Sequence, residues 1–222
     1  MRLLTTLAAV TAALAALVTP AHAAGPLGEV GGTLALPLHD AVQALPAAEE
    51  SRAGYQRNSF RHWVDADRDG CSTRNEVLLE EAFLAPEQTA PCRLSAGEWY
   101  SPYDNLYIGN PGGLDIDHLV PLAEAWDSGA SAWTAAEREA YANDLGDTRS
   151  LIAVSARSNR SKADQDPAQW LPTYAPYHCQ YLTDWVATKL RWQLAVDTAE
   201  RTTLTQATAD CPNVPVKVTF AR

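Results

Sequence analysis

The 222 residues carry 17 basic and 27 acidic side chains, for a formal net charge of −10, with 46% hydrophobic residues and four cysteines. That is enough chain for a domain with a proper core. The acidic balance excludes a protein that coats nucleic acid through its overall charge, so any such contact must be local, through a small basic patch or a bound cation.

Residues 1–23, "MRLLTTLAAVTAALAALVTPAHA", have one basic residue, an apolar run and a small-x-small end at Ala21-His22-Ala23. They read as a secretory signal peptide cleaved after Ala23, since the run is too short for a membrane anchor and stops at Thr19-Pro20. The mature chain is then 199 residues with a net charge of −11, Arg2 being the only charge removed. Residues 24–54, rich in Gly, Pro and Ala with weak periodicity, read as a loosely ordered leader. From Tyr55 the pattern strengthens: a short aromatic segment and a polar loop lead to a helix from Ser72 or Thr73, with Val77, Leu78, Leu79, Ala82 and Phe83 facing the core. "CRLSAGEWYSPYDNLYI" alternates around turn residues and predicts a hairpin.

"GGLDIDHLVPLAEAW" predicts a short strand, opened by Pro111-Gly112-Gly113 and closed by Pro121, with Asp115 and Asp117 on one face and His118 on the other. Two helical pieces follow, divided at Gly129, the second with a Thr134–Glu137 capping box. "SLIAVS" (150–155) is a second strand. A helix then runs from Ala156 toward Asp166-Pro167, and two helices occupy the last third, with Tyr181, Trp185, Leu190 and Leu194 on apolar faces. Trp126, Trp133, Trp170, Trp185 and Trp192 read as core packing rather than a carbohydrate platform. Four cysteines in an exported chain predict two disulfides, with Cys71–Cys92 and Cys179–Cys211 favoured because each pair lies within one module. No C-x-x-C spacing supports a zinc site.

Two segments carry chemistry. A hairpin of the two central strands with the following helix across it would bring Asn159 to Asp117 and His118. An Asp carboxylate and an Asn amide oxygen are hard ligands suited to Mg²⁺ or Mn²⁺, and His118 could take a proton from an attacking water. Arg149, Arg157, Arg160 and Lys162, with no acidic residue between Thr148 and Ala163, form a phosphate-facing basic run in an acidic chain. The second segment, "DADRDGCSTRNE", places Asp65, Asp67, Asp69, Gly70 and Glu76 in the calcium-loop pattern D-x-D-x-D-G-x₅-E. Ser72 stands where an apolar residue is usual, and Cys71 enters a disulfide. The alternative is a polar turn whose Asp side chains cap backbone N–H groups. His62, Trp63 and Arg74 lie near enough in sequence to line the cleft.

The order D-x-D-H … S-N-R-S-K, in "DIDHLVPLAEAW" and "RSNRSKADQDPAQWL", resembles the HNH, or ββα-metal, nucleases. The likeness is closest to the C-terminal domain of GmrSD restriction endonucleases and to secreted bacterial HNH proteins. It extends through "FRHWVDADRDGCSTRNEVLLEE" and "GEWYSPYDN", so it covers roughly residues 55–190. The resemblance implies an α+β fold with a ββα-metal core at about residues 112–172, inside a single nuclease domain of residues 55–222. A hairpin and loop extension precedes that core and helices follow it. It implies His118 as general base, Asp117 and Asn159 as ligands of Mg²⁺ or Mn²⁺, Asp115 as a supporting carboxylate, and Arg160 with Lys162 on phosphate. Asn143 matches a position that shapes the loop between the strands. Asn159 departs from the many members with a second histidine there, which favours a hard ion. The implied activity is low-specificity, metal-dependent cleavage of DNA, with RNA as a second substrate, by a secreted enzyme. Ca²⁺ would sit at the separate Asp65–Glu76 loop. The alternative is a non-catalytic extracellular calcium-binding or nucleic-acid-binding module on the same scaffold.

Overall fold

The computed structural model describes residues 27–222; the expected signal segment, residues 1–23, lies outside the described residues. In chain order the elements are β1 (Thr33–Pro37), α1 (Leu38–Ala44), α2 (Thr73–Glu80), β2 (Ala82–Leu84), β3 (Glu87–Thr89), β4 (Arg93–Ser95), β5 (Glu98–Ser101), β6 (Leu106–Ile108), β7 (Leu114–His118), α3 (Leu122–Asp127), α4 (Ala135–Ala142), β8 (Leu151–Ser155), α5 (Ala156–Lys162), α6 (His178–Trp192), α7 (Thr198–Thr208) and β9 (Pro215–Thr219). The strands form four small antiparallel sheets, β1-β9, β2-β5-β6, β3-β4 and β7-β8. Both expected disulfides are present, Cys71–Cys92 and Cys179–Cys211.

The larger core gathers around α6, whose Tyr181, Trp185 and Leu190 are fully buried and pack with α1, α3, α7 and β9. Trp133, Trp185 and Trp192 are buried in it, with Trp126 and Trp170 packed against it. Lys189 is also fully buried there, its ammonium donating to Glu124 (2.8 Å), Glu200 (2.6 Å), Ser128 (2.9 Å) and the carbonyl of Ala195 (2.8 Å). Such a cation is tolerable only because every donor has a partner.

The segment expected to be a loosely ordered leader is ordered where it enters this core. β1 pairs with β9 from Thr33↔Thr219 to Pro37↔Pro215, and Leu38, Ala41, Val42 and Leu45 are buried. A second expectation fails at Phe83, which is 63% exposed. The helical period ends with α2 at Glu80, and β2, a short strand with a register shift between Ala82 and Leu84, leaves both Phe83 and Leu84 exposed.

The smaller core lies under the β7-β8 pair, where Leu114, Ile116, Leu151 and Ala153 pack on Val77 and Leu78 of α2 and on Trp99. The register runs from Leu114↔Ser155 to His118↔Leu151. The side chain of Glu81, at the end of α2, accepts the Ala153 N–H at 2.8 Å. Burial pushes this carboxyl up to about 7 from its ordinary 4.5, with Glu80 adding to the rise and the Ala153 hydrogen bond opposing it. The folded state therefore holds a proton that the unfolded chain has released. The resulting stability is full below about pH 4.5 and is lost as pH rises to about 7. Glu81→Gln should therefore melt higher than wild type at alkaline pH, by on the order of 2–3 kcal/mol, and converge with it in acid. Thermal melts across that range, parallel for the two proteins, would refute the assignment.

Candidate active site

The alternation of β7 sends Leu114 and Ile116 into the smaller core, and Asp115 and Asp117 toward α5, which lies across both β7 and β8. Helix α5 begins at a Ser155 cap, whose hydroxyl accepts the Ser158 N–H at 3.1 Å. Asp104 secures the same end, accepting the hydroxyls of Ser101 (2.6 Å), Ser155 (2.5 Å) and Ser158 (2.9 Å). The helix stops at Lys162, short of the expected Asp166, with Ala163 at a φ of 50°. This packing brings Asp117, His118, Asn159 and Arg160 around one cleft of about 250 Å³, with Arg57 and Asp164 on its walls.

His118 is 6% exposed, and its Nε2 lies 2.9 Å from the carbonyl of Ala142. A carbonyl only accepts, so Nε2 carries the hydrogen and Nδ1 keeps its lone pair. The ring is stacked on Trp63 (centroids 5.1 Å) and on Tyr141 (6.4 Å), with His62 edge-on at 6.2 Å. Burial lowers its pKa to about 3, opposed by the Ala142 bond and assisted by the positive charges of His62, Arg57 and Lys162. The imidazole is held neutral, in one tautomer.

Asn143 fixes the carbonyl that pins this ring. Its Oδ1 accepts the Val64 N–H (3.0 Å) and the Thr73 hydroxyl (2.9 Å), and its Nδ2 donates to the carbonyls of Arg61 and Glu139 (both 2.8 Å). All four hydrogen bonds of the amide are made. The side chain ties the end of α4 to α2 and to the segment carrying His62 and Trp63, which does shape the connection between β7 and β8.

Asp117 is 4% exposed. Its carboxylate receives the Tyr103 hydroxyl at 2.6 Å and the Lys162 ammonium at 2.8 Å on Oδ1 and 2.7 Å on Oδ2. Burial raises its pKa while Lys162 and Tyr103 oppose the rise. Burial likewise lowers the Lys162 pKa against the pull of Asp117. Asp115 is the more accessible carboxylate, with Asn159 Nδ2 at 3.3 Å and Arg160 Nε at 3.4 Å.

The expectation that Lys162 contacts phosphate is corrected. It is fully buried, bonded to Asp117 and to the His118 carbonyl (3.0 Å). Ser158 and Lys162, four residues apart, share the buried face of α5, and Arg160 falls on the solvent face. The basic run divides accordingly. Arg149 is occupied by Asp147 and the Lys217 carbonyl, leaving Arg157 and Arg160 facing solvent. Arg74 braces the entry to β7 through the carbonyls of Pro111 and Leu114 (both 3.1 Å) rather than lining the cleft. Tyr103 and Asp104 sit in "SPYDN", which the turn signal hides. Arg57 sits in "GYQRNSF", which has no periodic signal.

The Asp65–Glu76 loop stands apart from this cleft. Carboxylate oxygens of Asp65, Asp67 and Asp69 converge within 4.8 Å of one another. Each also caps a backbone N–H, of Gly70 (3.2 Å), Asp69 (3.3 Å) and Cys71 (2.7 Å) respectively. Gly70 turns the chain at a φ of 98°. Glu76 has its carboxyl raised by burial and then by the charges of Asp67, Asp69 and Asp65, and its side chain is not among the three that converge.

Fold and site together define a mixed α/β protein in which an antiparallel strand pair and a following helix gather a neutral histidine, carboxylates and an amide at one cleft. Residues 72–207 match the model of the family described as GmrSD restriction endonucleases, C-terminal domain, and the chain belongs to that family. It is also 35% identical over 206 residues to an uncharacterized secreted protein of Arthroderma benhamiae (strain ATCC MYA-4681 / CBS 112371), spanning 93% of this chain and 98% of that protein. No solved structure matches it. No helix among the described residues is long and apolar enough to cross a membrane.

Proposed function

We propose that the chain is an exported HNH-type endonuclease that hydrolyses phosphodiester bonds in DNA, and in RNA as a second substrate, with a divalent metal and low sequence specificity. The observation that carries this reading is His118. An imidazole lining the cleft, with one nitrogen tied to a carbonyl and the other free, beside a carboxylate and an amide, suits a general base. Its Nδ1 takes a proton from water as the water oxygen bonds to phosphorus and the P–O bond to the leaving alcohol breaks. The β7-β8-α5 unit serves as the ββα-metal core. The donor set fits a hard cation. Tyr103 and Lys162 together fill three of the roughly four acceptor positions of Asp117, and Asn159 keeps its amide oxygen because its Nδ2 is the atom turned to Asp115. Asp117 and Asn159 would hold Mg²⁺ or Mn²⁺ with Asp115 in support, and the ion would stabilise charge on the phosphate and leaving oxygen. Arg160, 75% exposed in its side chain, reaches phosphate. Nothing in this set reads bases, hence the low specificity.

The convergence of Asp65, Asp67 and Asp69, with Glu76 at the twelfth position of the loop pattern, favours Ca²⁺ as a separate structural ion there. One metal series tests both assignments on protein lacking residues 1–23. Plasmid DNA and RNA should be cut with Mg²⁺ or Mn²⁺ and left whole in EDTA. Ca²⁺ should raise the melting temperature by a few degrees, about the effect of saturating a site that only the folded chain offers. Intact substrates in every metal would overturn the nuclease reading. A melting temperature indifferent to Ca²⁺ would overturn the loop assignment.

A further inference from the structure

The cleft takes one wall from a segment that precedes the family-matched residues. Arg57 opens a single 3-10 turn, Arg57–Ser59, and lines the same cleft as Asp117, His118, Asn159 and Arg160. The turn is anchored from behind. Phe60 is fully buried, edge-on to Trp126 (6.4 Å) and Tyr141 (6.0 Å), and Arg138 donates to the Ser59 carbonyl at 3.2 Å. The backbone position of Arg57 is therefore set by the core, while its side chain is left to solvent.

Other arginines of the described residues show what a structural guanidinium does here. Arg191 grips Asp144 with two nitrogens, Arg149 grips Asp147, and Arg74, Arg138 and Arg201 donate to carbonyls. Arg57 has no carboxylate partner among the described residues. Of the two cations on the cleft, Arg160 is drawn toward the Asp115 carboxylate at 3.4 Å, whereas Arg57 is held by no carboxylate and has only the neutral Tyr55 hydroxyl beside it. In a chain of net charge −10, a polyanion needs local cations of this kind at the point of attack.

We infer that Arg57 is a phosphate-binding residue of this cleft, donating from its guanidinium to backbone phosphate oxygens of the bound nucleic-acid strand. The planar fork of the guanidinium suits two phosphate oxygens at once. The inference rests on the nuclease reading and extends the active centre beyond residues 72–207.

The test compares wild type, Arg57→Ala, Arg57→Lys, His118→Ala and, as a control for lost charge, Arg93→Ala, an exposed arginine on β4. Initial rates on a labelled DNA duplex with Mg²⁺ are measured at several salt concentrations. Arg57→Ala should raise KM about tenfold or more with a smaller change in kcat, as for a lost charge-assisted contact. The slope of log KM against log salt should fall by about one phosphate contact. Arg57→Lys should restore the slope and only part of the affinity, and Arg93→Ala should change neither. Wild-type KM and salt slope in Arg57→Ala, a loss confined to kcat, or an equal loss in Arg93→Ala would each overturn the inference while cleavage by wild type still stood. If wild type itself fails to cut, the nuclease reading fails and this inference falls with it; if His118→Ala cuts as well as wild type, His118 is not the base of this cleft and the inference loses its active centre. An unchanged melting temperature in Arg57→Ala confirms that folding is not the variable.

Discussion

Cleavage by a His118→Ala variant should fall about 10²–10⁴-fold below wild type, the usual contribution of a positioned general base. The expectation comes from what surrounds the ring rather than from its position alone. Nε2 is committed to the Ala142 carbonyl, so only Nδ1 can take a proton. Burial keeps the ring uncharged until that proton arrives. Alanine also leaves a gap between Trp63 and Tyr141, so lost activity alone could reflect a loosened core. His118→Gln separates the two effects. Its amide can still donate to Ala142 and fill much of the space, yet it offers no base near neutral pH. It should melt close to wild type and cut as poorly as the alanine variant. Wild-type kcat in either protein would remove His118 from the mechanism.

Much of this arrangement is legible in the sequence because its elements are short and sharply punctuated. Strand β7 is announced by Pro111-Gly112-Gly113 and Pro121. The Thr134–Glu137 capping box is present as read, the Thr134 hydroxyl accepting the Glu137 N–H at 3.2 Å. Of the three pairings that four cysteines allow, the one favoured for its proximity in the chain is the one formed. What escapes reading depends on distant partners. Thr33–Pro37 alternates weakly among Gly and Pro, and becomes a strand because β9, some 180 residues on, completes it. Seven residues of α5 are too few for a periodic pattern to show which face is buried, so Lys162 looks like part of a basic surface. Tyr103 reads as turn punctuation because only the folded chain sets its hydroxyl against Asp117.

Lys162→Met should cost about 3–5 kcal/mol of stability, because it strands a carboxylate rather than removing a surface charge. The ammonium is fully enclosed, and its three contacts, two with Asp117 and one with the His118 carbonyl, account for its hydrogens. Without it Asp117 keeps only Tyr103, and it must either remain charged in a dry site or take up a proton. At about 2–4 °C per kcal/mol for a chain of this size, the melting temperature should drop by on the order of 10 °C. Cleavage should fall as well, since a protonated Asp117 is a poor ligand for a hard cation. The double variant Lys162→Met with Asp117→Asn distinguishes these effects, because removing both charges relieves the stranded carboxylate while the metal ligand stays lost. It should recover most of the melting temperature and none of the activity. If the single variant melts like wild type, the buried pair is not what holds Asp117 in place. If the double variant regains cleavage, Asp117 is not a ligand. Lys162 thus acts on the cleft by holding Asp117 from within the core, not by meeting phosphate at its surface.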